Sequence, residues 1–83
     1  MHYYLKASAL RDLSRLPKSV QKRIIKKLDF FIYADNPLKF AEKIKDFSLG
    51  GYRFRIGDYR VIFDIEKDSL IILVVGHRKD VYR

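Results

Sequence analysis

From Tyr52 to Ile56 apolar and polar residues alternate up to a Gly57-Asp58 pair, and this pattern constrains the fold more than any other feature. Tyr52, Phe54 and Ile56 alternate with Arg53 and Arg55, the period of two of a half-buried strand. Glycine in the first central place is what a type II′ hairpin turn requires, so Tyr59 to Ile65 reads as the return strand. Pairing across that turn sets Ile56 against Tyr59 and Arg55 directly against Arg60. Glu66 to Ser69 is a polar turn. The run Leu70 to Val75 is apolar on both faces and therefore predicts a central strand.

Upstream the period lengthens to that of a helix. Tyr3 to Lys6 predicts a short opening strand. Ser8 is placed to cap a helix with Leu10, Leu13 and Leu16 as its apolar stripe, ended by Pro17. Ser19 would cap a second helix, in which Val20, Ile24, Leu28, Phe31 and Ile32 share one side. Lys18, Lys22, Arg23, Lys26 and Lys27 cover its remainder, and Asp35-Asn36-Pro37 stops it. The expectation is an α+β fold: an N-terminal helical hairpin packed on a curled antiparallel sheet of three to four strands.

Eighty-three residues allow one domain, 1–83, because so short a chain buries only ~60–65% of its unfolded surface. With no cysteine, neither a disulfide nor a thiolate metal site reinforces it. Packing must suffice, and a composition 48% hydrophobic with six Phe and six Tyr can supply it. No apolar run approaches the ~20 residues of a membrane-spanning helix. The opening residues lack the apolar core of a secretory signal, so a cytoplasmic protein with no membrane partner is expected. A net charge of +8 points to a polyanionic partner: nucleic acid, ribosome or an acidic protein.

The chemistry concentrates on the hairpin. Arg55 opposite Arg60 destabilises a sheet by up to ~1 kcal/mol, and such local conflicts mark functional sites. Arg60 is expected on an open phosphate-binding face, outside the core. If Ile65 pairs with Leu70, Val75 lies beside Arg60, and His77 falls on the arginine face with Arg53 and Arg55. Arg78, Lys79 and Tyr82 follow at the strand end, giving a basic patch with hardly a carboxylate in it. Guanidinium forks grip phosphate oxygens in pairs, and Tyr or His can stack on a base or carry a proton. One alternating arginine would be ordinary surface; three on one face, two opposed, indicate a site. The phenylalanines and tyrosines at 30–33 and 52–63 read mostly as core. No spacing suits a metal, and no glycine-rich loop suits a phosphate-bearing cofactor.

Three segments carry a family resemblance: Ala9-Leu-Arg-Asp-Leu13 with Leu16-Pro17; Gly51-Tyr-Arg-Phe-Arg-Ile-Gly-Asp-Tyr-Arg-Val-Ile-Phe63; and Val75-Gly-His-Arg-Lys-Asp-Val-Tyr82. Through them the whole chain resembles the RelE/ParE superfamily of toxin–antitoxin modules. A RelE-like toxin cuts messenger RNA in the ribosomal A site without a metal or other cofactor. The resemblance matches Arg60 and Arg78 to phosphate-binding and leaving-group-side arginines, and Tyr82 to the tyrosine that activates or stacks on the nucleotide. It matches Arg53 and Arg55 to two lysines of the RNA-binding site, which Lys79 extends. His77 is a further candidate acid or base. The implied partners are the ribosome with its mRNA and a cognate antitoxin, acidic and partly helical, through which oligomers can form. Two other readings stay open: a ParE-like inhibitor of DNA gyrase, and a non-catalytic RNA- or ribosome-binding module.

Overall fold

The computed structural model describes residues 1–45 and 49–81. A short strand β1 (His2–Leu5) leads into α1 (Ala7–Ser14) and α2 (Lys18–Tyr33). A 3-10 turn (Pro37–Phe40) precedes β2 (Ala41–Lys43), β3 (Tyr52–Ile56), β4 (Tyr59–Glu66), β5 (Ser69–His77) and a one-turn helix α3 (Arg78–Val81). The α+β class is as expected, with two corrections to the sheet. It has five strands, in the order β1-β5-β4-β3-β2, not three or four. It is also mixed, since β1 runs parallel to β5 while the other pairs are antiparallel. The missed strand, β2, is three residues long, too short to show a period.

Position in the helical period decides which helix faces turn inward. On α2, Ile24, Leu28 and Phe31 are buried while Lys18, Lys22, Arg23, Lys26 and Lys27 are exposed, as the spacing predicts. Phe31 lies 4.4 Å from Phe54, which lies 4.5 Å from Phe63, so one aromatic column ties α2 to β3 and β4. On α1 the inward pair is Ala9 and Leu13, four residues apart, and Leu10 faces out. Phe30 and Tyr33, expected mostly in the core, are exposed as well.

Neither serine caps a helix. Lys6 and Pro17 hold the N-cap positions, and neither makes a side-chain capping bond. Ser8 sits in the first turn of α1 and does another job. Strand β1 ends its pairing with Lys6 N donating to Ile72 O, leaving the β5 edge open beyond. There the Ser8 hydroxyl donates to Leu73 O at 3.0 Å, and Val75 N donates to Asp12 Oδ2 at 3.1 Å. Two side chains four apart on α1 thus replace the backbone partners that β1 no longer supplies.

Register decides the faces. Gly57 adopts φ +60°, the left-handed first position of the turn, and Arg55 pairs with Arg60 as expected. Ile65 also pairs with Leu70, but a bulge between Ile62 and Phe63 shifts everything beyond it by one residue. Val75 therefore pairs with Val61, Gly76 lies beside Arg60, and His77 pairs with Tyr59. A one-residue slip exchanges faces because side chains alternate along a strand.

Three tests follow, two from the backbone and one from a partly buried phenol. Gly57→Ala should cost about 1–2 kcal/mol in urea unfolding, the penalty of a left-handed non-glycine residue. Lys67 already carries that penalty at φ 56°, so Lys67→Gly should lose nothing and gain up to about 1 kcal/mol. The Tyr3 hydroxyl donates to Asp29 Oδ1 at 3.1 Å, and burial, then Asp29, raises its pKa above the ordinary 10.0. A raised folded-state pKa contributes stability present below the unfolded value and lost as pH rises through the folded one. Tyr3→Phe should therefore flatten the alkaline fall in melting temperature above about pH 10.

Candidate functional site

The hairpin tip gathers cations on both sides of the sheet. On the open side lie Arg53 and Arg55 of β3 and Arg60 of β4. On the helix side His77 packs edge-on to Tyr59 with ring centroids 5.5 Å apart, and Arg23 of α2 lies 5.8 Å from the same tyrosine ring. The expectation that His77 shares the arginine face is thus corrected: the β4–β5 bulge turns it to the other side. Its Nδ1 accepts a hydrogen bond from Lys79 N at 3.1 Å. The Lys79 side chain is exposed at the start of α3. Tyr82 lies outside the described residues.

The patch also holds a carboxylate, against expectation. Glu42 on β2 pairs in register with Arg53. Its Oε2 is 2.9 Å from Arg53 Nη2, and its Oε1 is 2.7 Å from Arg55 Nε. The hydrogen bond from Arg53, with the positive charges of Arg53, Arg55 and Arg60, holds the Glu42 carboxyl below its ordinary pKa. One anion bridging two cations offsets the like-charge pairing of Arg55 with Arg60. Sequence missed Glu42 because its strand is three residues long and pairs with a partner eleven positions on. Arg23 was visible only as one of several charges on α2.

Arg60 departs furthest from its expected place. It is only 8% exposed, and its Nη1 donates to Gly57 O at 2.9 Å and Tyr59 O at 3.0 Å. The guanidinium thus folds back on the hairpin turn. Its burial has a cause two residues along the same face. Ile62 packs there with Ile44 and Val81 in a second small core. Gly76, beside Arg60, lets α3 close over it, since a Cβ there would lie 3.0 Å from Val81 Cγ2. Arg78 caps the tip: its backbone N donates to Asp58 O at 2.8 Å, and its Nε is 3.7 Å from Asp58 Oδ1. Two accessible guanidinium groups, Arg55 and Arg78, therefore flank one buried group that organises the turn.

The arrangement concentrates positive charge at the end of a hairpin, on a helix-backed sheet. Its relatives have this fold. Residues 3–82 match the family of the ParE toxin of the type II toxin–antitoxin system parDE. The chain belongs to the RelE/ParE superfamily of toxins from type II toxin–antitoxin systems. It is 31% identical over 81 residues to Toxin RelG of Mycobacterium tuberculosis, covering 92% of this chain and 88% of that one. It is 33% identical over 76 residues to Toxin RelE3 of Methanocaldococcus jannaschii, covering 88% and 85%. Among solved structures, it is similar to the RelBE2 toxin–antitoxin complex of M. tuberculosis, with a TM-score of 0.75 and 26% identity over 93% of this chain and 96% of that one. The archaeal RelE–RelB complex from Pyrococcus horikoshii gives 0.71 and 27%, over 95% and 96%.

The two kinds of arginine should separate on mutation. Arg60→Ala should lower unfolding free energy by about 1–3 kcal/mol, because it removes charged donors from two turn carbonyls. Arg55→Ala, at 57% side-chain exposure, should stay within about 0.5 kcal/mol of the parent. Urea denaturation of both measures the contrast.

Proposed function

We propose that this toxin is an mRNA endonuclease that acts in the ribosomal A site, inhibits translation, and is neutralised by a cognate antitoxin. The observation that carries the reading is the convergence of Arg53, Arg55, Arg60 and Arg78 on one hairpin tip. The relatives named RelG and RelE3, and the similar complexes of RelE with RelB, support it. In the proposed reaction a 2′-hydroxyl attacks the adjacent phosphate, leaving a 2′,3′-cyclic phosphate and a free 5′-hydroxyl. Arg55 and Arg78 stabilise the charge that develops on the phosphate oxygens. Arg60 fixes the turn that holds them. Arginine stays protonated, so the group that takes the 2′-hydroxyl proton is not one of these four.

No guanidinium cluster alone aligns the attacking and leaving oxygens. Holding the codon in line is the ribosome's part in this reading, and such positioning is worth ~7–11 kcal/mol. The expected antitoxin segment is acidic and partly helical, complementary to a +8 chain, and its association rate should fall as salt rises. Gyrase inhibition is the second reading, because the matching family model is that of the ParE toxin.

Mapping 5′ ends of cellular mRNA after brief expression decides between them. Cuts within translated codons, unaffected by chelator in a purified translation system, are expected. Loss of DNA supercoiling with intact mRNA would favour the gyrase reading instead. Arg78→Ala should reduce cleavage about 10²-fold, the typical effect of removing one transition-state donor. Pure protein should leave naked RNA essentially uncut.

A further inference from the structure

We propose that Glu42 is a built-in counter-anion which an RNA phosphate must displace from Arg53 and Arg55, so that it sets which polyanions the site accepts. The inference deepens the nuclease reading and rests on its assignment of the arginine face to RNA. A carboxylate offers two oxygens to guanidinium groups much as a phosphodiester does. Glu42 already makes that contact, at 2.9 Å to Arg53 and 2.7 Å to Arg55. It is held there by pairing of β2 with β3, where Glu42 stands opposite Arg53. The exchange is sterically open, since Glu42 is 44% and Arg55 57% exposed.

A tethered anion competes at an effective concentration on the order of millimolar or above. A ligand offering one phosphate contact gains little by replacing it. A strand that is also held elsewhere, at Arg78 or by another scaffold, can make the replacement favourable. Glu42 would thus disfavour free RNA relative to RNA presented to the site, by the same chemistry that lets the arginines lie close together.

The test is fluorescence anisotropy of a short labelled single-stranded oligoribonucleotide with the intact toxin, titrated at several salt concentrations. Glu42→Gln should bind about two- to fivefold more tightly, the scale of an exposed ion pair. Its log–log salt slope should steepen by ~0.7 for each contact now made by releasing salt ions instead of the carboxylate. Glu66→Gln removes the same charge from an exposed residue at the far end of β4 and should change little. Matching thermal melts for the two variants show that the fold is kept. If Glu42→Gln merely equals Glu66→Gln, the effect is net charge and the proposal fails. If it binds more weakly, Glu42 organises the arginines rather than competing for them, and the proposal fails again. Arg53→Ala and Arg55→Ala separate this from the broader reading. Should both leave RNA binding untouched, the face is not the RNA site and both ideas fall. Should both weaken binding while Glu42→Gln does nothing, only the role of Glu42 falls.

Discussion

A left-handed residue at Gly57 lets β3 reverse into β4 within two residues, and that reversal sets both faces of the sheet at once. On one face it stacks Phe54 against Phe63 and brings Phe54 against Phe31 of α2. On the other it forces Arg55 against Arg60. The core and the cationic site are two consequences of the same register. The hydrophobic gain on the first face is what makes the like-charge pairing on the second sustainable.

The sheet then compensates for that pairing in two ways. Arg60 withdraws into the turn and bonds the carbonyls of Gly57 and Tyr59. Glu42 spans Arg53 and Arg55 from the edge strand. Neither device removes charge from the tip, where Arg55, Arg78 and Lys79 stay accessible. The protein keeps a positive surface at the tip while limiting its cost to the fold.

A single bulge divides the site. Without it His77 would join the arginines; with it His77 lies against Tyr59, near Arg23 of α2. The extra residue also brings Gly76 beside Arg60, where an added Cβ would crowd Val81 Cγ2 at 3.0 Å. The helical side and the open side of the hairpin therefore carry different chemistry, histidine with tyrosine on one and arginine with glutamate on the other.

What the sequence determined by itself was whatever depends on neighbours along the chain. The inward residues of α2, the Gly57-Asp58 turn, the Arg55–Arg60 pairing and the central place of Leu70 to Val75 all follow from short-range period and turn chemistry. Within ten or so residues these leave few alternatives. Tertiary structure decided what depends on partners distant in sequence. Pairing of β2 with β3 brought Glu42 to the arginines, and packing of Val81 against Ile62 and Ile44 buried Arg60. The β4–β5 bulge moved His77 to the opposite face. Ser8 and Asp12 took up an edge that β1 left open, instead of Ser8 capping a helix. In each case the deciding energy comes from contacts between separated segments, and no local pattern encodes a one-residue slip or a three-residue strand.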